Sequence, residues 1–215
     1  MKNIKAVVFD FDGTLYDKKN IAVYVALKNI GHLAMLLRTT RTLRAFKGKD
    51  FGSRDNYYKE LFTQIGGSLS NADKAKKWYF DKYLPNMITV LAERYTVRPY
   101  VNELMEKLQQ QGISVILYSD YERSEDRMGA IQAYTTHIDK IYASADFGGL
   151  KPCKEAFERM LAENGLSAEN TLIVGDSEVC DKKCAELCGA QFYKVESDDD
   201  IAKLLEMTEN GSLIS

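Results

Sequence analysis

The chain has 215 residues and a mass of 24.4 kDa, enough for one sizeable domain or a domain carrying a smaller insert. With 45% hydrophobic residues, 28% charged residues and three prolines, it is not a disordered, collagenous or Pro-rich linker protein. The 29 Lys and Arg nearly balance 31 Asp and Glu, which argues against a globally basic nucleic-acid binder, so no nucleic-acid partner is expected.

Residues 5–9 (KAVVF) predict a short buried strand that ends at two acids, Asp10 and Asp12. Those acids also interrupt what would be the apolar stretch of a secretory signal. A turn follows at Asp12-Gly13-Thr14. From about residue 18 to 94 the apolar spacing becomes helical, as in Ile21, Val25, Ile30, Leu33 and Leu37. Further helices are predicted over 54–64, 71–83 and 86–94, and no strand is expected in this block. Beyond Arg98-Pro99 strands and helices alternate. Helices fit 101–110, 124–134, 154–164, 181–188 and 201–207; strands fit 114–118, 140–143, 172–174 and 191–195. This alternation predicts an α/β fold, a Rossmann-like parallel sheet core flanked by helices. The core is expected over 1–16 plus 97–215, with an inserted all-helical cap over 17–96. No apolar run approaches the roughly 18 residues that span a bilayer, so no membrane partner is expected. Four cysteines, three of them within 180–188, do not form a disulfide framework; a reduced, cytoplasmic protein is expected.

In an open parallel sheet, ligands bind outside the carboxyl ends of the strands. The predicted strand ends carry Asp10 with Asp12, then Ser119-Asp120, then Asp176 with Asp181 five residues on. Lys151 stands in a loop just before a helix. Carboxylates converging on one point repel one another unless a hard cation lies between them, and an all-oxygen donor set suits Mg²⁺. A carboxylate can also attack phosphorus, and the charge on the phosphoryl oxygens then calls for a metal, a lysine and hydrogen-bond donors. Ser119, Lys151 and the backbone N–H groups near Gly13-Thr14 are candidates for these roles.

FDFDGTL, YSD, GLKP and VGDSEVCD resemble, in order and spacing, the four motifs of the haloacid dehalogenase superfamily. The helical insert between the first two looks like that family's helical cap. The resemblance implies a Mg²⁺-dependent phosphatase acting on a small phosphate monoester. It makes Asp10 the nucleophile and Asp12 the acid and base, with Asp10, the Asp12 carbonyl, Asp176 and Asp181 around the metal. The phosphate site it implies comprises Asp10, Gly13, Thr14, Ser119, Asp120 and Lys151, with Thr14 stabilising the turn. Dehalogenating relatives lack an acid at position 12, because halide leaves without a proton; its presence favours phosphate esters. Asp120 stands where relatives carry Asn, which adds a negative charge near the phosphate unless it pairs or points away. Gly52-Ser53-Arg54 resembles a cap loop of β-phosphoglucomutase-like members, so a phosphomutase is the alternative. A non-catalytic binding or regulatory protein on the same scaffold is a second.

Simpler readings stand beside these. Cys180, Cys184 and Cys188 share a helical spacing, but buried cysteine packs as a small hydrophobe and no nearby histidine completes a zinc set. Asp146-Phe147-Gly148 matches a kinase tripeptide without the rest of that signature. Charge is uneven: residues 18–98 hold 16 Lys and Arg against 6 Asp and Glu. Arg38, Arg41, Arg44 and Lys47 are spaced by three along a predicted helix. Such a stripe is a solvated face, or part of a basic cap that closes electrostatically over the acidic core mouth, or the attractor of a polyanionic substrate such as a sugar phosphate or nucleotide.

Overall fold

The computed structural model describes residues 3–213. Five strands form one wholly parallel sheet: β1 (Ala6–Phe9), β2 (Ser114–Ser119), β3 (Lys140–Ala143), β4 (Thr171–Gly175) and β5 (Gln191–Lys194). Their spatial order is β3-β2-β1-β4-β5. The chain therefore winds outward from β1 in one direction and then restarts on its other side at β4, so a topological switch point lies between β1 and β4. All four residues of β1 are buried, as expected for a central strand covered on both faces.

Alternate residues of the strands feed two layers. Val7, Phe9, Val115, Leu117, Leu172 and Val174 pack against Leu104, Met128, Ile201 and Leu204. These belong to helices α6 (Val101–Gln110), α7 (Ser124–Ala130) and α10 (Asp198–Glu209). Val8, Ile116, Tyr118 and Ile173 face the opposite way, onto Phe157 and Met160 of α8 (Lys154–Glu163) and Cys184 of α9 (Lys183–Cys188). The expected α/β core is thus a sheet between two helical layers.

Between β1 and α6 the chain is helical: α1 (Ile21–Lys28), α2 (Leu33–Phe46), α3 (Arg54–Gly66), α4 (Ala72–Trp78) and α5 (Leu84–Arg94). These helices enclose their own apolar cluster, including Leu36, Phe46, Leu61, Trp78, Leu84 and Met87, to which Ala145 and Leu150 of the sheet side contribute. The two crossings into this block lie side by side, since the Arg98 N–H donates to the Leu15 carbonyl at 2.8 Å.

Several expected helix boundaries shift: the last helix runs Asp198–Glu209 rather than 201–207, and a π-helical turn (Glu178–Lys182) precedes α9. The helical pattern of 21–37 divides into α1 and α2, bent by 76°. Asn29 and Gly31 occupy the break, and the Asn29 side chain returns to the Val25 carbonyl at 2.8 Å. The helices expected over 71–83 and 86–94 are joined, because a π-helical turn (Tyr79–Tyr83) carries the chain into α5 with Pro85 in its first turn, where a missing N–H is tolerated. The helix expected over 124–134 stops at Ala130: Gly129 weakens it and Gln132 is left-handed at φ 62°. Among the described residues no single helix is long and apolar enough to cross a membrane.

Candidate active site

The switch point brings the first and last acidic motifs together. Phe9 pairs with both Leu117 and Val174, and the Asp10 N–H donates to the Val174 carbonyl at 2.9 Å. Asp10, Asp120 and Asp176 consequently leave the sheet at one edge. Lys151 arrives there from the loop before α8, 2.5 Å from Asp10 Oδ1 and 2.6 Å from Asp181 Oδ1. The other Asp10 oxygen accepts from the Thr14 hydroxyl at 3.2 Å, so Thr14 closes the turn and orients the carboxylate at once. Gly13 holds φ 92°, and a Cβ there would lie 2.7 Å from Asp176 Cγ; only glycine lets the turn approach so closely.

These groups perturb one another. Burial pushes the Asp10 carboxyl up to about 7 against the Lys151 ammonium, with the Asp181 and Asp12 carboxylates also raising it. For Lys151 burial opposes the charge, but Asp10 and Asp181 outweigh it and hold the ammonium well above its ordinary range.

Asp12 faces a partner that the motifs do not include. Arg127, fully buried, lies 2.5 Å from Asp12 Oδ2, and the Tyr16 hydroxyl donates to Oδ1 at 2.6 Å. Burial would raise the Asp12 carboxyl, yet Arg127 and Tyr16 hold it below the usual carboxylate range. Arg127 also donates to the Ser119 hydroxyl at 2.9 Å and to the Tyr121 carbonyl at 3.3 Å, and lies 4.0 Å over the Phe11 ring. Within the charged run ERSEDR it reads as a solvated helix residue. The available signal was spacing: Ser124, Arg127, Met128 and Ile131 fall on one helical face, and all four are buried.

The donor set suits a hard cation. One oxygen from each of Asp10, Asp176 and Asp181 lies within 4.8 Å of the others. The Lys18 ammonium stands 2.5 Å from Asp176 and 3.3 Å from the Asp12 carbonyl, so positive charge is already accommodated between two of the expected ligands. Every donor is an oxygen, as Mg²⁺ prefers. The Asp12 side chain turns to Arg127 and Tyr16, while its carbonyl shares the Lys18 ammonium with Asp176.

The remaining expected residues fall as follows. Ser119 is fully buried, with its oxygen accepting from Arg127 and from the Tyr121 N–H. Asp120 pairs: it accepts from the Ser144 hydroxyl at 2.8 Å and the Lys151 N–H at 2.9 Å, with Lys47 at 3.8 Å. Its extra charge is thereby answered, and it supports the Lys151 loop. Cys184 packs in the core and Cys188 beside it, while Cys180 lines the cavity, its sulfur 2.8 Å from Lys47 Nζ. All four cysteines are free.

A cavity of about 330 Å³ opens over this floor, roofed by α1, α2 and α5. Roof and floor are joined through the Lys151 loop, where the Gly48 and Phe51 N–H groups donate to the Leu150 and Gly148 carbonyls at 3.0 and 2.8 Å. A Cβ on Gly148 would lie 2.6 Å from the Ser53 nitrogen, so the glycine permits this contact. A second clasp is the buried Glu122, which accepts from the Tyr58 and Tyr79 hydroxyls at 2.7 Å each. Burial raises the Glu122 carboxyl above its ordinary 4.5, although both hydroxyls oppose the shift. The folded protein therefore holds this proton more tightly than the unfolded chain does, and stability falls as pH climbs from 4.5 towards the raised value. Glu122→Gln mimics the protonated acid, with one acceptor oxygen and a donor, and removes that dependence. Denaturant titrations across pH are expected to show the variant matching the parent at low pH and gaining on it as pH rises.

Carboxylates and a buried lysine thus converge at the switch point of a doubly wound parallel sheet. The model of the haloacid dehalogenase-like hydrolase family matches residues 7–195, and the chain belongs to that family. It is 28% identical over 200 residues to a glyceraldehyde 3-phosphate phosphatase of Methanocaldococcus jannaschii, across 86% of this chain and 82% of that protein. The magnesium-bound structure of YfnB from Bacillus subtilis superposes with a TM-score of 0.65 at 21% identity, over 95% of this chain and all of that one. CbbY from Rhodobacter sphaeroides, in complex with phosphate, gives 0.59 at 18% identity over 88% of this chain and 84% of that one.

Proposed function

We propose that this enzyme is a Mg²⁺-dependent phosphatase that hydrolyses a small phosphate monoester through an aspartyl-phosphate on Asp10. The observation that carries the reading is the meeting of Asp10, Lys151, Asp176 and Asp181 at the switch point beneath a cavity. The relative named glyceraldehyde 3-phosphate phosphatase supports a small phosphorylated metabolite as substrate.

Asp10 attacks phosphorus, the phosphorus–oxygen bond to the alcohol breaks, and Asp12 supplies the proton that the departing oxygen needs. Asp12 then takes a proton from water as that water displaces phosphate, which restores Asp10. The ion pair with Arg127 favours the base form of Asp12, the state required for the second half. An arriving phosphate dianion favours its protonation for the first. Lys151 holds Asp10 in place and neutralises phosphoryl charge, whereas Ser119, expected at the phosphate, is fully buried, does not line the cavity and instead holds Arg127. Mg²⁺, when bound, offsets the repulsion among the carboxylates and polarises the phosphoryl group. The helices of 17–96 act as a cap over a core of 1–16 plus 97–215, hinged where Arg98 meets Leu15. The free cysteines fit a cytoplasmic setting.

The test is phosphate release from a panel of phosphomonoesters with and without Mg²⁺, together with melting curves in the absence of substrate. Mg²⁺ is expected to be required for release and to raise Tm, and Asp176→Asn to lose both effects. A Tm indifferent to Mg²⁺ in the parent protein counts against the metal site. The phosphomutase alternative predicts isomer formation rather than free phosphate. The Gly52-Ser53-Arg54 loop does not favour it, because Arg54 turns to Asp146 at 3.3 Å and does not line the cavity.

A further inference from the structure

The sign of the cap's charge and the chemistry of its cavity disagree. Arg38, Arg41 and Arg44 are exposed and none of them lines the cavity. Arg41 opens instead onto a separate groove beside Lys49, Lys59 and Glu60. The roof over the floor carboxylates is apolar, formed by Ile21, Ala22, Val25, Leu36 and Met87. Its few polar groups are engaged. The Thr40 hydroxyl donates back to the Leu36 and Leu37 carbonyls, both at 3.1 Å. The Tyr83 ring lies against Tyr121, with centroids 6.5 Å apart. Two cap lysines reach the lining, both at the floor: Lys18 stands 2.5 Å from Asp176 and 3.3 Å from the Asp12 carbonyl, and Lys47 donates to Cys180 at 2.8 Å and stands 3.8 Å from Asp120.

A second anionic group carried up into this apolar roof, away from the floor lysines, would meet no positive charge, and a polyol would meet it with few donors to exchange for water. From this we infer that the substrate carries a single phosphoryl group on a compact, uncharged and mainly apolar alcohol, such as a short aliphatic or single-ring aryl monoester. Sugar bisphosphates and nucleotides are disfavoured. The inference rests on the phosphatase reading and specifies the leaving group that this reading leaves open.

Matched probes test it on the full chain with Mg²⁺. Butyl phosphate and phenyl phosphate are compared with butane-1,4-diol bisphosphate and adenosine monophosphate by kcat/KM for phosphate release. The first two are expected to exceed the others roughly ten-fold or more, the discrimination one apolar pocket supplies. Thr40→Lys, at an exposed helical position on the cavity wall, is expected to narrow the ratio of butyl phosphate to the bisphosphate by adding the missing charge. Equal or better turnover of the bisphosphate by the parent protein overturns the inference. Calorimetric binding of butylphosphonate and butane-1,4-bisphosphonate separates this from failure of catalysis. If no ester is hydrolysed but the monophosphonate binds more tightly, the phosphatase reading falls and the leaving-group preference stands. Tighter binding of the bisphosphonate sinks that preference whether or not any ester turns over.

Discussion

Asp10→Asn is expected to abolish phosphate release, lowering kcat on the order of ten-thousand-fold or more, as loss of a covalent nucleophile does. The amide retains the shape of the side chain and can still accept from Thr14, but it has no charge with which to attack phosphorus. The fold is expected to survive. Burial, with Asp181 and Asp12, outweighs the Lys151 ammonium and opposes ionisation of the Asp10 carboxyl in the metal-free protein, and Lys151 keeps Asp181 as a partner in the variant. Without Mg²⁺ at pH 8, Tm of the variant should therefore equal or exceed that of the parent. A parent protein quenched during turnover should carry phosphate on Asp10, releasable by hydroxylamine as expected of an acyl phosphate, and the variant should carry none. Appreciable turnover by Asp10→Asn would remove Asp10 from the nucleophile's role.

Arg127→Met is expected to be the most damaging substitution outside the sequence motifs. Methionine approximates the length of the buried stem while deleting a guanidinium that holds Asp12, Ser119 and the Tyr121 carbonyl together. Removing one member of a buried ion pair strands the other, at a cost of about 3–5 kcal/mol. A measured stability loss in that range is expected from denaturant titration. Activity should fall at least ten-fold even at temperatures where the variant is fully folded, because Asp12 loses the contact that orients it. Arg127→Lys keeps the charge without the fork, so it should recover more stability than activity. If Arg127→Met loses stability but retains kcat, Arg127 is a structural residue only.

Asp10, Asp120 and Asp176 were readable because each stands directly after a strand of unmistakable character. KAVVF, SVILY and TLIVG are short apolar runs in which β-branched and aromatic residues predominate, and the parallel sheet they imply gathers their carboxyl ends on one edge. Lys151 was readable from its motif alone, since nothing local distinguishes it from a surface lysine. Arg127 was not, because the residues just before it are charged and exposed, and its burial depends on packing against Phe11 and pairing with Asp12, more than a hundred positions away. Glu122 was missed for a similar reason: its two partners, Tyr58 and Tyr79, lie 64 and 43 residues away. The basic stripe on α2 was legible as a stripe, but its direction was not. The same periodicity that aligned the arginines left open which face would turn to solvent.

The local alphabet of this chain determined the order of strands and helices, the position of the acids at strand ends and, through them, an oxygen-rich site fit for a hard cation and phosphate. Those features depend on short-range sterics and on periodicity, which a linear sequence carries. Only tertiary structure decided which cations reach the cavity, which partner holds Asp12 and what covers the floor. Each is a contact between residues tens of positions apart, whose energy exists only once the intervening chain has packed.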